Sequence, residues 1–289
     1  MSSSPDIVSF PQATAPVIHP LAVVSATARI GAGVTIGPFC VIDDDVEIGS
    51  GCVLGPHVTV LRHTTLGPCC RVHPGAVLGD LPQDLRYRDC VSHVRIGTGC
   101  VIREGVTIHR GTDPGSTTVV GNDCLLMATS HVGHNCRVGD HVILANGALL
   151  GGYAEVGDSA FLSGHCLVHQ FTRIGTLAMM SGGSAIQMDL PPFCITQSSV
   201  TNIVLSLNIV GLKRRGMSAE ERRLLRQAFN LLYRSGLAVS SAVAAIEAQI
   251  DTPSARELCQ FVRTAKRGIC KFFRDEPRRA PEDDQALAA

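Results

Sequence analysis

Residues 30–54 read IGAGVTIGPFCVIDDDVEIGSGCVL, and Ile30, Ile36, Ile42, Ile48 and Leu54 stand six places apart. The step extends back through Val24 to Ile18 and forward through Val60, Leu66, Val72 and Leu78. It resumes in phase at Ile96, Ile102 and Ile108, and again from Val120 to Ile186. Of the 29 slots between 18 and 186, 26 hold an aliphatic residue or Met; the exceptions, Asp84, Cys90 and Pro114, fall in two interruptions. A period of six is neither the 3.6 of a helix nor the alternation of a strand. It describes a short strand plus a corner, and three such units close one triangular coil.

That pattern predicts a left-handed parallel β-helix over 18–190, an exception to the usual right-handed crossover. Gly follows the slot in Ile30-Gly31, Ile36-Gly37, Ile48-Gly49 and Val138-Gly139, where the turn is expected to need an unusual φ. Cys40, Cys52, Cys70, Cys100, Cys124, Cys136 and Cys166 each stand two places before a slot. A shared register position reads as packing of small side chains rather than thiol chemistry. The two interruptions, 79–95 and 109–119, are polar and contain Pro and Gly, so a closed prism accepts them only as outward loops, where function tends to sit.

After Met188, Pro191-Pro192 is expected to end the repeat and open a C-terminal α-helical domain over 191–273. Ser218-x-x-Glu221 is a capping box, followed by Leu224, Leu225, Phe229 and Leu232 at helical spacing, with Gly236 as the stop. Thr252-Pro253 is expected to start a helix carrying Leu258, Phe261, Val262, Ala265, Ile269 and Phe272 on one face. Residues 1–17 form an N-terminal extension, and 274–289 read as a disordered tail.

The chain has 25 basic and 25 acidic residues, which argues against general nucleic-acid binding. The balance is uneven: residues 210–279 hold 15 basic and 7 acidic side chains, a surface suited to an acidic partner. The N-terminus lacks the basic and apolar regions of a secretory signal, and no run of apolar residues is long enough to span a bilayer. With 12 cysteines, this points to a reducing, cytoplasmic setting.

Histidine is the side chain suited to proton transfer near neutral pH. His131 and His134 flank the slot Val132 in SHVGHNC, with His165 and His169 further on, and His134 falls at a corner facing outward. Zinc needs three or more converging ligands, and the H-x-x-H and H-x-x-x-H spacings offer no convincing set, so no metal is expected. Without a G-x-S-x-G elbow or an activated cysteine motif, direct transfer with histidine as general base is expected rather than a covalent enzyme intermediate, and no cofactor is expected.

The strings IGPFCVI (36–42), PQDLRY (82–87), VTIHRGT (106–112), LLMATSHVGHNCRVG (125–139), VHQF (168–171) and NIVGLKRRG (208–216) resemble the UDP-N-acetylglucosamine O-acyltransferases that start lipid A biosynthesis. The likeness covers roughly residues 17–236. It implies a homotrimer with active sites in clefts between subunits, and transfer of a 3-hydroxyacyl chain from acyl carrier protein to the sugar 3-hydroxyl. By the family's motif His134 would be the general base, with Asn135 beside it, and the Gly152 N–H an oxyanion donor. Asp84, Arg86, His131, Tyr153, Gln170, Asn208, Arg214 and Arg215 would meet the sugar nucleotide. His169 would lie near the acyl groove, and Met179 and Gly182 where acyl length is limited. The basic C-terminal surface would receive the acidic carrier protein.

Four positions depart from the family pattern. Asn135, Arg86, Tyr153 and Val210 stand where Asp, Lys, His and Glu are expected. They leave room for N-acylation of an amino-sugar nucleotide. A reading of another class is a non-catalytic trimeric β-helix scaffold.

Overall fold

The computed structural model describes residues 15–273. Residues 1–14 of the predicted extension and the predicted tail at 274–289 lie outside the described residues. The chain winds as a left-handed parallel β-helix of three faces. The first face runs through Thr35–Ile36 and Val53–Leu54, the second through Val41–Ile42 and Thr59–Val60, the third through Glu47–Ile48 and Thr64–Leu66. The aliphatic and Met slot residues from Ile36 onward point inward and are almost wholly buried, unlike Asp84, Cys90 and Pro114 in the loops. Ile18, Val24 and Ile30 stay partly exposed, because among the described residues no coil lies below them.

The register explains how the six-residue phase survives the interruptions. Regular coils pair residues 18 apart, as in Ile36 with Leu54, whereas Val72 pairs with Ile102 and Ile102 with Leu126. The two loops therefore add whole multiples of six, and the slots never change face. Both leave from the edge between the second and third faces: the first follows Val77–Asp80, the second Thr107–His109.

The predicted reason for the glycines is corrected. The left-handed backbone sits three places after most slots, at Phe39, Asp45, Asn135 and Tyr153 for example, and not at Gly31 or Gly49. Those glycines are required by space: a Cβ on Gly31 would lie 2.6 Å from Ser50 N, and one on Gly49 2.5 Å from Pro68 N. The seven cysteines are buried as expected. Several also reach a carbonyl of the next coil, as Cys52 Sγ does at Gly67 O (3.1 Å) and Cys136 Sγ at Gly151 O (3.1 Å).

The end of the β-helix differs from expectation. Cys194–Thr196 still pairs in parallel with Met179–Met180, beyond the Pro pair, and then meets Ile203–Leu207 antiparallel. Four helices follow: α1 (Ile209–Arg214), α2 (Ala219–Tyr233), α3 (Val239–Gln249) and α4 (Pro253–Arg263). Ser218 caps α2 by accepting from Glu221 N at 3.1 Å, as the capping box predicts. Helix α3 escapes sequence reading because its small, apolar residues give little amphipathic contrast and its start has no side-chain cap. Helix α4 stops at Arg263; Gly268 turns the chain at φ +72°, and Lys271–Phe272 pairs with Ile203–Val204 as a strand. Ile269 and Phe272 are therefore not on the α4 face. One buried ion pair ties the helices to the prism: Arg173 Nη2 lies 2.8 Å from Asp189 Oδ2, and the same guanidinium donates to Phe261 O at 3.0 Å in α4.

Candidate active site

Along the edge between the second and third faces, the corner places carry His109-Arg110, Gly133-His134, Gly151-Gly152 and His169-Gln170 on successive coils. All of these except Arg110 line a cavity of about 560 Å³ whose floor is the outer side of the second face, with Leu149, Leu167 and Ala185. The pocket thus joins a cluster of imidazoles to an apolar strip.

His134 leaves the prism outward, as predicted, yet it is only 9% exposed. Its ring lies against the Gly152 backbone so closely that a Cβ there would strike the imidazole. Edge-on to it stands Tyr153, ring centroids 5.3 Å apart, and Tyr153 stacks on Phe171 at 4.7 Å. His134 Nδ1 lies 3.0 Å from Asn135 Oδ1. The N–H of Gly152 has no protein acceptor among the described residues, because the ladder leaves this corner place unpaired.

Burial pushes the pKa of His131 down to about 4, with the neighbouring His109 and His134 adding to the effect. Its Nδ1 meets Thr107 Oγ1 at 2.7 Å, so at neutral pH it is an uncharged hydrogen-bonding group. Burial also lowers His109, which packs edge-on to His131 at 4.8 Å. Among the described residues, His109 Nδ1 and Arg110 Nε are buried without a hydrogen-bond partner, and Arg110 is only 6% exposed. Burial pushes the Cys136 thiol up to about 12, which removes it as a nucleophile at neutral pH. Among the described residues, no three His, Cys, Asp or Glu side chains are placed to hold a metal ion.

The remaining predicted residues divide by location. Asp84 and Arg86 lie in the first loop, paired at 3.1 Å; the Arg86 fork holds the Asp84 carboxyl below its usual range, and nearby His134 adds to this. His169 and Gln170 line the cavity. Met179 is on the first face and Gly182 at the edge between the first and second faces. Arg215 bonds Ser159 at the third edge, with Arg214 beside it and exposed Val210 on the same short helix. Asn208 is taken up structurally: it caps α1 by accepting from Gly211 N (3.0 Å) and donates to Leu177 O (2.9 Å). One chain therefore gathers His131, His134, Gly152, His169 and Gln170, but not Gly182, Arg214 or Arg215. Sequence reading passed over Gln83, His109, Arg110, Thr112 and Phe171; each lies in or beside a quoted string, but its contacts depend on how neighbouring coils stack.

Two segments of the β-helix, 27–80 and 117–152, match the family model of bacterial transferase hexapeptide repeats, which defines the class. Residues 189–270 match the model of domain 2 of UDP-N-acetylglucosamine O-acyltransferase. The acyl-[acyl-carrier-protein]–UDP-N-acetylglucosamine O-acyltransferase of a Sulfurihydrogenibium species is 48% identical over 87% of this chain and 93% of its own. That of Chlorobaculum parvum is 49% identical over 87% and 96%. A solved UDP-N-acetylglucosamine acyltransferase from Francisella novicida superposes with a TM-score of 0.85 at 34% identity, over 90% of this chain and 95% of that one. The chain belongs to the UDP-N-acetylglucosamine O-acyltransferase family.

Proposed function

We propose that the protein transfers a 3-hydroxyacyl chain from acyl carrier protein to the 3-hydroxyl of UDP-N-acetylglucosamine, the first step of lipid A biosynthesis, in the cytoplasm. The observation that carries this reading is the His134–Asn135 pair set over the unpaired Gly152 N–H, in a pocket that continues into an apolar strip. His134 Nε2 takes the proton of the attacking hydroxyl, and Gly152 N–H receives the thioester oxygen as it becomes an oxyanion. Collapse of the tetrahedral intermediate expels the carrier's thiolate, which takes up a proton as the ester forms. Neutral His131 and Gln170 orient the sugar, while the unpartnered Arg110 Nε–H beside His109 suits an acceptor that brings negative charge. The acyl chain follows Leu149, Leu167 and Ala185 beside His169.

Met179 on the first face, Gly182 on another edge, and Arg214 and Arg215 at the end of α1 all lie away from this edge, so a single chain leaves the site incomplete. A homotrimer, packing one edge against its neighbour's face, would supply them across the cleft. The basic helical surface around Lys213 and Arg226 would receive the acidic carrier protein. The named relatives are O-acyltransferases over most of their length, which favours ester over amide formation. The buried, hydrogen-bonded His134 weighs against a mere scaffold.

The test is acyl transfer followed by mass spectrometry with a panel of 3-hydroxyacyl carrier proteins. UDP-N-acetylglucosamine should be acylated, and His134→Ala should lower kcat by roughly 10²–10⁴-fold. Transfer only to the 3-amino analogue, or full activity in the variant, would overturn the reading.

A further inference from the structure

We propose that Thr112, in the second loop, is a positioning residue that sets which nitrogen of His134 carries the proton; this rests on reading His134 as the base. Three groups approach Asn135 Oδ1: Thr112 N at 3.0 Å, Thr112 Oγ1 at 2.9 Å and His134 Nδ1 at 3.0 Å. A backbone N–H can only donate, so the atom it meets is the amide oxygen and not the amide nitrogen. An amide oxygen carries no proton. His134 Nδ1 must therefore be the protonated nitrogen, which leaves the lone pair on Nε2 free to act on substrate.

The loop is itself braced. Thr112 Oγ1 lies 2.8 Å from Tyr153 Oη, and Tyr153 donates to Asp113 Oδ2 at 3.0 Å. The Tyr153 ring is fixed between Phe171, stacked at 4.7 Å, and His134, edge-on at 5.3 Å. Burial raises the Tyr153 pKa, and the Asp113 carboxylate adds to this, so at neutral pH the phenol keeps its proton and donates it to Asp113, while the single Thr112 hydroxyl proton is shared between Asn135 Oδ1 and Tyr153 Oη. Asn135 is thus linked to the Asp113 carboxylate through Thr112, whose Oγ1 lies 3.3 Å from Asp113 Oδ2, and through Tyr153. Tyr153 acts here as the loop's anchor rather than as a group reaching for the sugar.

The experiment is ¹⁵N NMR of protein labelled at histidine, with the His134 signals assigned by their loss in His134→Gln. In the wild type, Nδ1 should give the protonated and Nε2 the unprotonated shift. Thr112→Val, similar in shape, keeps the backbone donor but loses the hydroxyl, so Asn135 Oδ1 is held by one donor fewer and the Nε2–H tautomer should become detectable. Its kcat should fall about twofold, the factor for a base correctly protonated half the time, with the KM for sugar nucleotide unchanged. Thr112→Ser should restore both readings, and Tyr153→Phe should move them in the same direction as Thr112→Val. A wild-type Nε2–H tautomer, or a Thr112→Val variant with unchanged tautomer and kcat, would overturn the proposal even if His134→Ala abolished activity. Equal impairment of the Val and Ser variants would overturn it in favour of loop packing. An Nδ1–H tautomer beside full activity of His134→Ala would instead remove the general-base reading and leave the positioning role of Thr112 standing.

Discussion

Two edges of the same prism are built from one repeat and differ in what they carry. Between the third and first faces, the place after the slot is Gly on eight successive coils: Gly31, Gly49, Gly67, Gly97, Gly121, Gly139, Gly157 and Gly175. A Cβ there would meet backbone of the next coil, at 2.6 Å for Gly67 and 2.6 Å for Gly121. Between the second and third faces the same place holds Ser25, Asp43, Leu61, Gly79, His109, Gly133, Gly151 and His169. One edge is closed by backbone against backbone. The other accepts side chains and both loops, and the imidazoles stand on it. The lesson is that the repeat constrains its corners unequally, so chemistry can vary along one edge without disturbing the core.

The sharpest way to break the contrast is to add one methyl group to each edge. Gly152→Ala pushes on the far end of a side chain, the His134 ring, rather than on backbone. Activity should fall about 10²-fold through the displaced base and oxyanion donor, with the thermal midpoint within a few degrees of wild type. A variant with full activity would mean that the imidazole is not held where the site requires it.

The second contrast is in pH response. His131 ionises at about 4 in the fold and near 6.5 when unfolded, so the unfolded chain binds the proton first as pH falls. Stability should therefore decline from pH 6.5 towards 4, by roughly 3 kcal/mol for this group, and show no such dependence above pH 7. Buried His109, lowered in the same direction, should add to the decline. Denaturant midpoints measured across that window should flatten in His131→Gln. An unchanged slope would place the acid sensitivity elsewhere.

Gly121→Ala, on the closed edge, should do the converse of Gly152→Ala. Its Cβ would press on the Gly139 carbonyl carbon at 2.6 Å, and backbone must move to make room. Stability should drop by about 1–3 kcal/mol in unfolding experiments, with kcat of the folded protein unchanged. A loss of activity without a loss of stability would show that the edges are coupled.

Much of the fold was legible in the sequence because a prism one side chain wide permits no exceptions within its coils. Every slot outside the two loops faces the axis, so Ile36, Leu54 and Leu126 had to be aliphatic and their phase survived both loops. The role of glycine was misread, since a period reveals where a residue recurs but not whether torsion or space demands it. Helix α3 and the final strand were missed because their residues take their places from neighbours rather than from any pattern of their own.

For the site, the strings around His131, His134 and Gln170 already marked one edge, and the six-residue spacing stacked them. The sequence alone determined the prism, its phase and the family, because repetition and motif are local properties of the chain. Tertiary structure decided that Thr112, Asn135 and His134 share one oxygen, that Tyr153 is drawn towards Asp113, and that Asn208 caps a helix. Those contacts join residues from different coils and a loop. Hydrogen-bond geometry across such separations is settled only when the coils stack.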